Sequence, residues 1–128
     1  MAKTSRSTAP TVIDHGPVVV RSADADGYNI GFIRFNVESD GAPLLKGLPE
    51  DRCACPHWGY VFEGTATFTF PDRVETYEAG DAFYTPPGHT PAHSADSEIL
   101  LFSPSEELAV TDAAMQRNMA AFLATQGS

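Results

Sequence analysis

Residues Tyr60–Gly88 read YVFEGTATFTFPDRVETYEAGDAFYTPPG, and this stretch decides the fold class. In Thr65–Phe70 (TATFTF), Ala66, Phe68 and Phe70 alternate with threonine, the two-residue period of a strand with one buried face. Pro71-Asp72-Arg73 is a turn, and Val74–Glu78 returns as the hairpin partner. Gly80-Asp81 turns the chain again, Ala82–Thr85 is a short strand, and Pro86-Pro87-Gly88 stops it. Upstream, Tyr60–Phe62 enters the hairpin through Gly64.

The same grammar extends in both directions. Val18–Arg21 follows Gly16-Pro17, and Tyr28–Val37 (YNIGFIRFNV) follows the turn-like Ala23–Gly27. Its apolar residues fall on even numbers up to Phe32 and on odd numbers from Ile33, which predicts either a bulge or a strand covered on both faces. Glu98–Phe102 (EILLF) is the closing strand. Many short strands with Gly/Pro punctuation and no helix between them predict an antiparallel sandwich or barrel. The C-terminal period then changes. Ser103-Pro104-Ser105-Glu106 predicts one capped helical turn. Thr111 is the expected cap of a longer helix packed through Met115, Met119 and Phe122. The expected organisation is a flexible leader over 1–11, a barrel over 12–103 and a helical tail over 104–128.

With 128 residues there is room for one core. Seventeen acidic against eight basic residues give a net charge of -9, which repels phosphate backbones and anionic lipid. Nucleic acid and membrane are therefore excluded as expected partners. The opening MAKTSRSTAP has no apolar segment of a secretory signal, so the expected location is cytoplasmic.

Ligand-type residues concentrate in two places, Asp51-Arg52-Cys53-Ala54-Cys55-Pro56-His57 and Gly88-His89-Thr90-Pro91-Ala92-His93. If the chain before Pro56 is extended, Asp51, Cys53 and Cys55 share a face, and His89 and His93 share another by the same parity. Two strands in a small barrel then aim thiols, imidazoles and a carboxylate at one point. That donor set suits Zn²⁺, with iron, copper and manganese less favoured by thiolate.

At these residues the chain resembles the cupin superfamily. Asp51-x-Cys53-x3-His57-x6-Gly64 has the spacing of the first cupin motif with the ligand types changed. Gly80-x5-Pro86-x-Gly88 has the spacing of the second, with Pro91 at its final ligand position. The fifteen residues between Gly64 and Gly80 are like those of compact, single-domain bacterial cupins. The resemblance implies an all-β fold: a double-stranded antiparallel β-barrel, or jelly roll, here followed by a C-terminal α-helix. It also implies a divalent metal, which in that superfamily is Mn, Fe, Ni, Cu or Zn. Pro91 has no side-chain donor, so His89 is the natural substitute. The expected ligands are Cys53, His57 and His89, with Asp51, Cys55 and His93 as further candidates.

Each residue also has a plainer reading. A buried cysteine is often a small apolar residue, and a buried histidine is often a hydrogen-bonded core residue. Three function classes therefore stand. They are a metal-dependent enzyme on a small organic molecule, a non-enzymatic small-molecule binding or sensing barrel, and a metal-free barrel. Trp58, Tyr60 and Phe62 lie on the strand face opposite His57. They are expected to be covered by the N-terminal strand, the C-terminal helix or a second subunit, and the resemblance points to a homodimer.

Overall fold

The structure, a computed structural model, describes residues 3–126; the first two residues of the expected leader and the last two of the tail lie outside them. Among the described residues the strands are β1 (Thr11–Asp14), β2 (Val18–Ala25), β3 (Tyr28–Phe35), β4 (Ser39–Asp40), β5 (His57–Glu63), β6 (Thr65–Thr69), β7 (Val74–Glu78), β8 (Ala82–Thr85), β9 (Thr90–His93) and β10 (Ser97–Pro104). They are followed by α1 (Ser105–Gln126). Every pairing is antiparallel, in a six-stranded sheet β1-β2-β3-β10-β5-β8 and a four-stranded sheet β4-β9-β6-β7.

Local chemistry accounts for the joints. β2 and β3 pair in unbroken register from Val18 opposite Phe35 to Ala25 opposite Tyr28. Asp26 and Gly27 connect them with φ of 50° and 82°, the two-residue left-handed turn that matches strand twist. The expected turn over Ala23–Gly27 is therefore shorter than its sequence suggested. β3 also carries no bulge against β10. Its change of phase reflects cover on both faces. Ile33 and Phe35 pack inward, while outward-facing Phe32 is buried beside Phe62.

The inner faces meet in a core of Val61, Ala66, Phe68, Phe70, Phe83 and Ile99, joined by Ile33, Phe35, Tyr77 and Leu101. The alternation in β6 predicted this, since Ala66, Phe68 and Phe70 are all buried. A second cluster of Leu45, Cys53 and Cys55 packs against Leu48, Leu108 and Met115, and here α1 docks on the barrel. Asn118 fixes the docking by donating from Nδ2 to the carbonyls of Leu44 (2.7 Å) and Lys46 (2.9 Å).

The tail differs from its sequence reading in two ways. Pro104 still belongs to β10, opposite Tyr28, so no separate helical turn forms. One helix runs through from Ser105. Thr111 is inside it rather than at its start, buried with its hydroxyl on a side chain of the barrel. The docking face is Leu108, Thr111, Ala114, Met115 and Asn118. Phe122 does not pack: it and Leu123 are exposed, while Met119 is half-buried.

At the other end, Thr11 opens β1 opposite Arg21 instead of ending the leader. Ahead of it Ala9 is buried, and the Arg6 guanidinium lies 4.3 Å from the Phe62 ring centroid. No helix among the described residues is long and apolar enough to cross a membrane.

Candidate metal centre

Cys53 and His89, from the two sequence clusters, are joined by their backbones. Cys53 N–H donates to His89 O at 2.9 Å, and His89 N–H donates to Cys53 O at 3.3 Å. Directly opposed residues of an antiparallel bridge project their side chains to the same side. The thiol and the imidazole therefore leave this bridge together. His57 opens β5 on the inward face, opposite Thr85 of β8. One donor atom from each of Cys53, His57 and His89 lies within 4.8 Å of the other two. Cys53 Sγ is 3.9 Å from His57 Nε2. A tetrahedral Zn²⁺ site holds its donors about 3.3–3.6 Å apart, closer than the Cys53 Sγ–His57 Nε2 separation here.

The outer nitrogens are held by neighbours. His89 Nδ1 donates to Pro86 O at 2.8 Å, which leaves Nε2 as the nitrogen with a lone pair. His57 Nδ1 is 2.7 Å from the buried Ser103 hydroxyl, leaving Nε2 to face Cys53. An imidazole anchored through one nitrogen with the other bare is the arrangement metal-bound histidines adopt. The rings pack edge to face below, with His89 against Phe68 (centroids 5.1 Å, 87°) and Phe70 (6.0 Å, 72°).

Burial sets the protonation states. It pushes His57 down to about 3, with the nearby His89 adding to the effect, and it lowers His89 as well. Both imidazoles are neutral at pH 7, the form that coordinates metal. Burial raises the Cys53 thiol, opposed by its hydrogen bonds with the Thr111 side chain and the Cys55 backbone. Cys55 is pushed up to about 12 by burial and then by Cys53. Neither is an activated nucleophile, since that role needs a depressed thiol.

The other three candidate residues lie outside the group. Asp51 is not on an extended segment. Pro49–Asp51 forms a 3-10 turn, Asp51 has φ 55°, and its exposed carboxylate accepts Gly47 N–H at 2.9 Å. Cys55 is buried in the Leu45 cluster, with its thiol on Pro56 O at 3.5 Å. His93 has the parity of His89, but four residues of extended chain span roughly 13 Å. It lies flat on Phe35 instead. Pro91 packs beside Gly41 and accepts its N–H at 2.8 Å.

Sequence reasoning missed Ser103 and Thr111. A signal existed for the first. Ser103 has the parity of Ile99 and Leu101, so it is a polar residue on a buried face and needs a partner. The group itself is closed, with Cys53 3%, His57 6% and His89 1% exposed. A shallow concavity of about 750 Å³, lined by Asp40, Thr65, Thr67 and His93, lies on the four-stranded sheet and contains none of the three.

This architecture is the cupin fold: two antiparallel sheets forming a β-barrel, with one C-terminal helix. Among solved structures it is similar to the polyketide cyclase RemF from Streptomyces resistomycificus, with TM-score 0.58 and 18% identity over 81% of this chain and 79% of that one. It is also similar to KdgF from Halomonas sp. (0.56, 17%, 81% and 94%) and an RmlC-like cupin from Shewanella frigidimarina (0.55, 19%, 81% and 91%). The sequence matches no protein-family model and no curated protein.

Proposed function

We propose that Cys53, His57 and His89 hold one divalent ion, Zn²⁺ in preference to Fe, Mn, Cu or Ni, and that the barrel serves a small organic molecule at that centre. The observation carrying this reading is that one donor atom from each of Cys53, His57 and His89 lies within 4.8 Å of the other two, while the bond from His89 Nδ1 to Pro86 O leaves Nε2 bare. Among the described residues no fourth His, Cys, Asp or Glu joins the three. The remaining position is left for water or a small ligand, as in zinc sites that do chemistry. A divalent ion there supplies a Lewis acid for a carbonyl or similar oxygen. The chain's own part is to orient the donors through Pro86 and Ser103 and to exclude bulk water with α1.

Closure of the site favours a second reading, a non-enzymatic binding or sensing cupin in which the metal is structural. The polyketide cyclase activity named for RemF belongs to that protein and shows only that this fold hosts such chemistry. Elemental analysis of purified protein tests the common core of both readings. One ion per chain is expected, lost in the Cys53→Ala/His89→Ala double variant. Stoichiometric metal persisting in that variant overturns the assignment of ligands, and no metal uptake by the wild type overturns the proposal.

The chain is further proposed to act as a homodimer. The Phe62 end of the outer face is covered by Arg6, but Tyr28, Trp58, Tyr60, Tyr84 and Phe102 remain 37–46% exposed side by side. A contiguous aromatic face of this kind is what a second subunit covers.

A further inference from the structure

Helix α1 does more than close the barrel. Its one hydroxyl at the docking face, Thr111 Oγ1, lies 3.3 Å from Cys53 Sγ. Thr111 is 5% exposed. A threonine inside a helix ordinarily turns its hydroxyl back to the carbonyl one turn earlier. Here no such bond forms, and the thiol is the hydroxyl's partner. Among the described residues the sulfur has two other hydrogen-bond contacts, the Cys55 carbonyl at 3.8 Å and His57 Nε2 at 3.9 Å. The carbonyl can only accept. The His57 nitrogen is the bare one if Nδ1 donates to Ser103. Thr111 is thus the side chain that can donate to a Cys53 thiolate.

We infer that Thr111 is a positioning residue, supplied by the C-terminal helix, that donates a hydrogen bond to the Cys53 sulfur and so tunes it as a metal ligand. The inference rests on the metal reading above. With a neutral thiol the bond can run in either direction. With a metal-bound thiolate it runs one way, O–H to S⁻. That bond withdraws charge from sulfur and holds the side chain on the metal side of the Cys53–His89 bridge. Partners of this kind behind a ligand shift affinity by about 10–100-fold.

Co²⁺ titration of the full chain tests it, because the thiolate-to-cobalt charge-transfer band reports charge on sulfur directly. Thr111→Val keeps the shape and removes the hydroxyl; Thr111→Ser keeps the hydroxyl. The expected result is a band at lower energy and about 10–100-fold weaker Co²⁺ binding for Thr111→Val, with Thr111→Ser restoring the wild-type band. Thr111→Ala, with less bulk, must show the same red shift should the valine variant fold poorly. Far-UV circular dichroism of the metal-free proteins checks the helix. A band in Thr111→Val or Thr111→Ala indistinguishable from wild type overturns the inference while leaving the metal reading intact. Absence of any thiolate band in the wild type overturns both, so the two failures are told apart by the wild type alone.

Discussion

His93 lies flat against Phe35, with ring centroids 3.8 Å apart and planes 9° from parallel, and its Nε2 has no hydrogen-bond partner. Phe68 meets the same imidazole edge-on at 6.2 Å. The ring is therefore used as an apolar plate between aromatics, and burial alone pushes its pKa down to about 4. In the unfolded chain it titrates near 6.5. The neutral form contributes its full stability above that value, and the contribution is lost as pH falls towards the folded value. Between pH 7 and 5 this one residue should remove about 2 kcal/mol. His93→Leu cannot take up the proton. Urea unfolding at the two pH values should show a smaller acid loss in that variant than in the wild type.

Metal uptake should release protons. The Cys53 thiol is raised by burial, so at neutral pH it carries its proton until a metal displaces it. Zn²⁺ calorimetry at pH 7 in buffers of different ionisation enthalpy should give about one proton released per ion. The apparent affinity should fall as pH is lowered.

Asp51→Ala should leave metal content unchanged. Its carboxylate is engaged by Gly47 N–H on the outside of the loop. The variant should lose about 1 kcal/mol of stability with that bond. A loss of metal equal to that of Cys53→Ala would return Asp51 to the ligand set.

Gly59→Ala should be among the most damaging single substitutions. A Cβ there would stand 2.4 Å from Phe83 Cζ and 2.6 Å from the Leu100 carbonyl oxygen. Phe83 is part of the core and the carbonyl belongs to β10, so neither neighbour yields freely. A loss of about 3 kcal/mol is expected in thermal unfolding.

Phe102→Glu places a charge in the open aromatic face without touching the core. Light scattering should report about twice the 13.7 kDa chain mass for the wild type at low and high salt. The variant should report one chain mass. A monomeric wild type refutes the dimer.

Strands were legible along the chain because alternation survives in β6, because β10 is a short apolar run, and because Gly and Pro punctuate them. The metal candidates were legible as spacing. Parity assigns a face, however, and not a position along it, so parity alone did not separate His89 from His93, and His89 was preferred through its place beside Pro91 in the second cupin motif. Asp51 was misread because nothing marks Glu50 and Asp51, two ordinary side chains, as left-handed. The start of the helix was misread for one shared reason. Ser103 and Thr111 are residues of the capping type, but their hydroxyls are engaged by His57 and Cys53, partners distant in sequence. Tertiary demand overrode local chemistry.

The place of β10 between β3 and β5 has a consequence for how the protein is made. Both of its neighbours leave the ribosome first, and β3 then presents an unpaired edge until Ser97–Pro104 has been synthesised. An open edge carrying Ile30, Phe32 and Ile33 is a template for pairing with other nascent chains. The acidic surface works against such encounters by mutual repulsion. Since α1 follows β10 without a linker, the strand that closes the sheet and the helix that covers the Cys/His group emerge almost together, so the thiols stay open to solvent until both have been made.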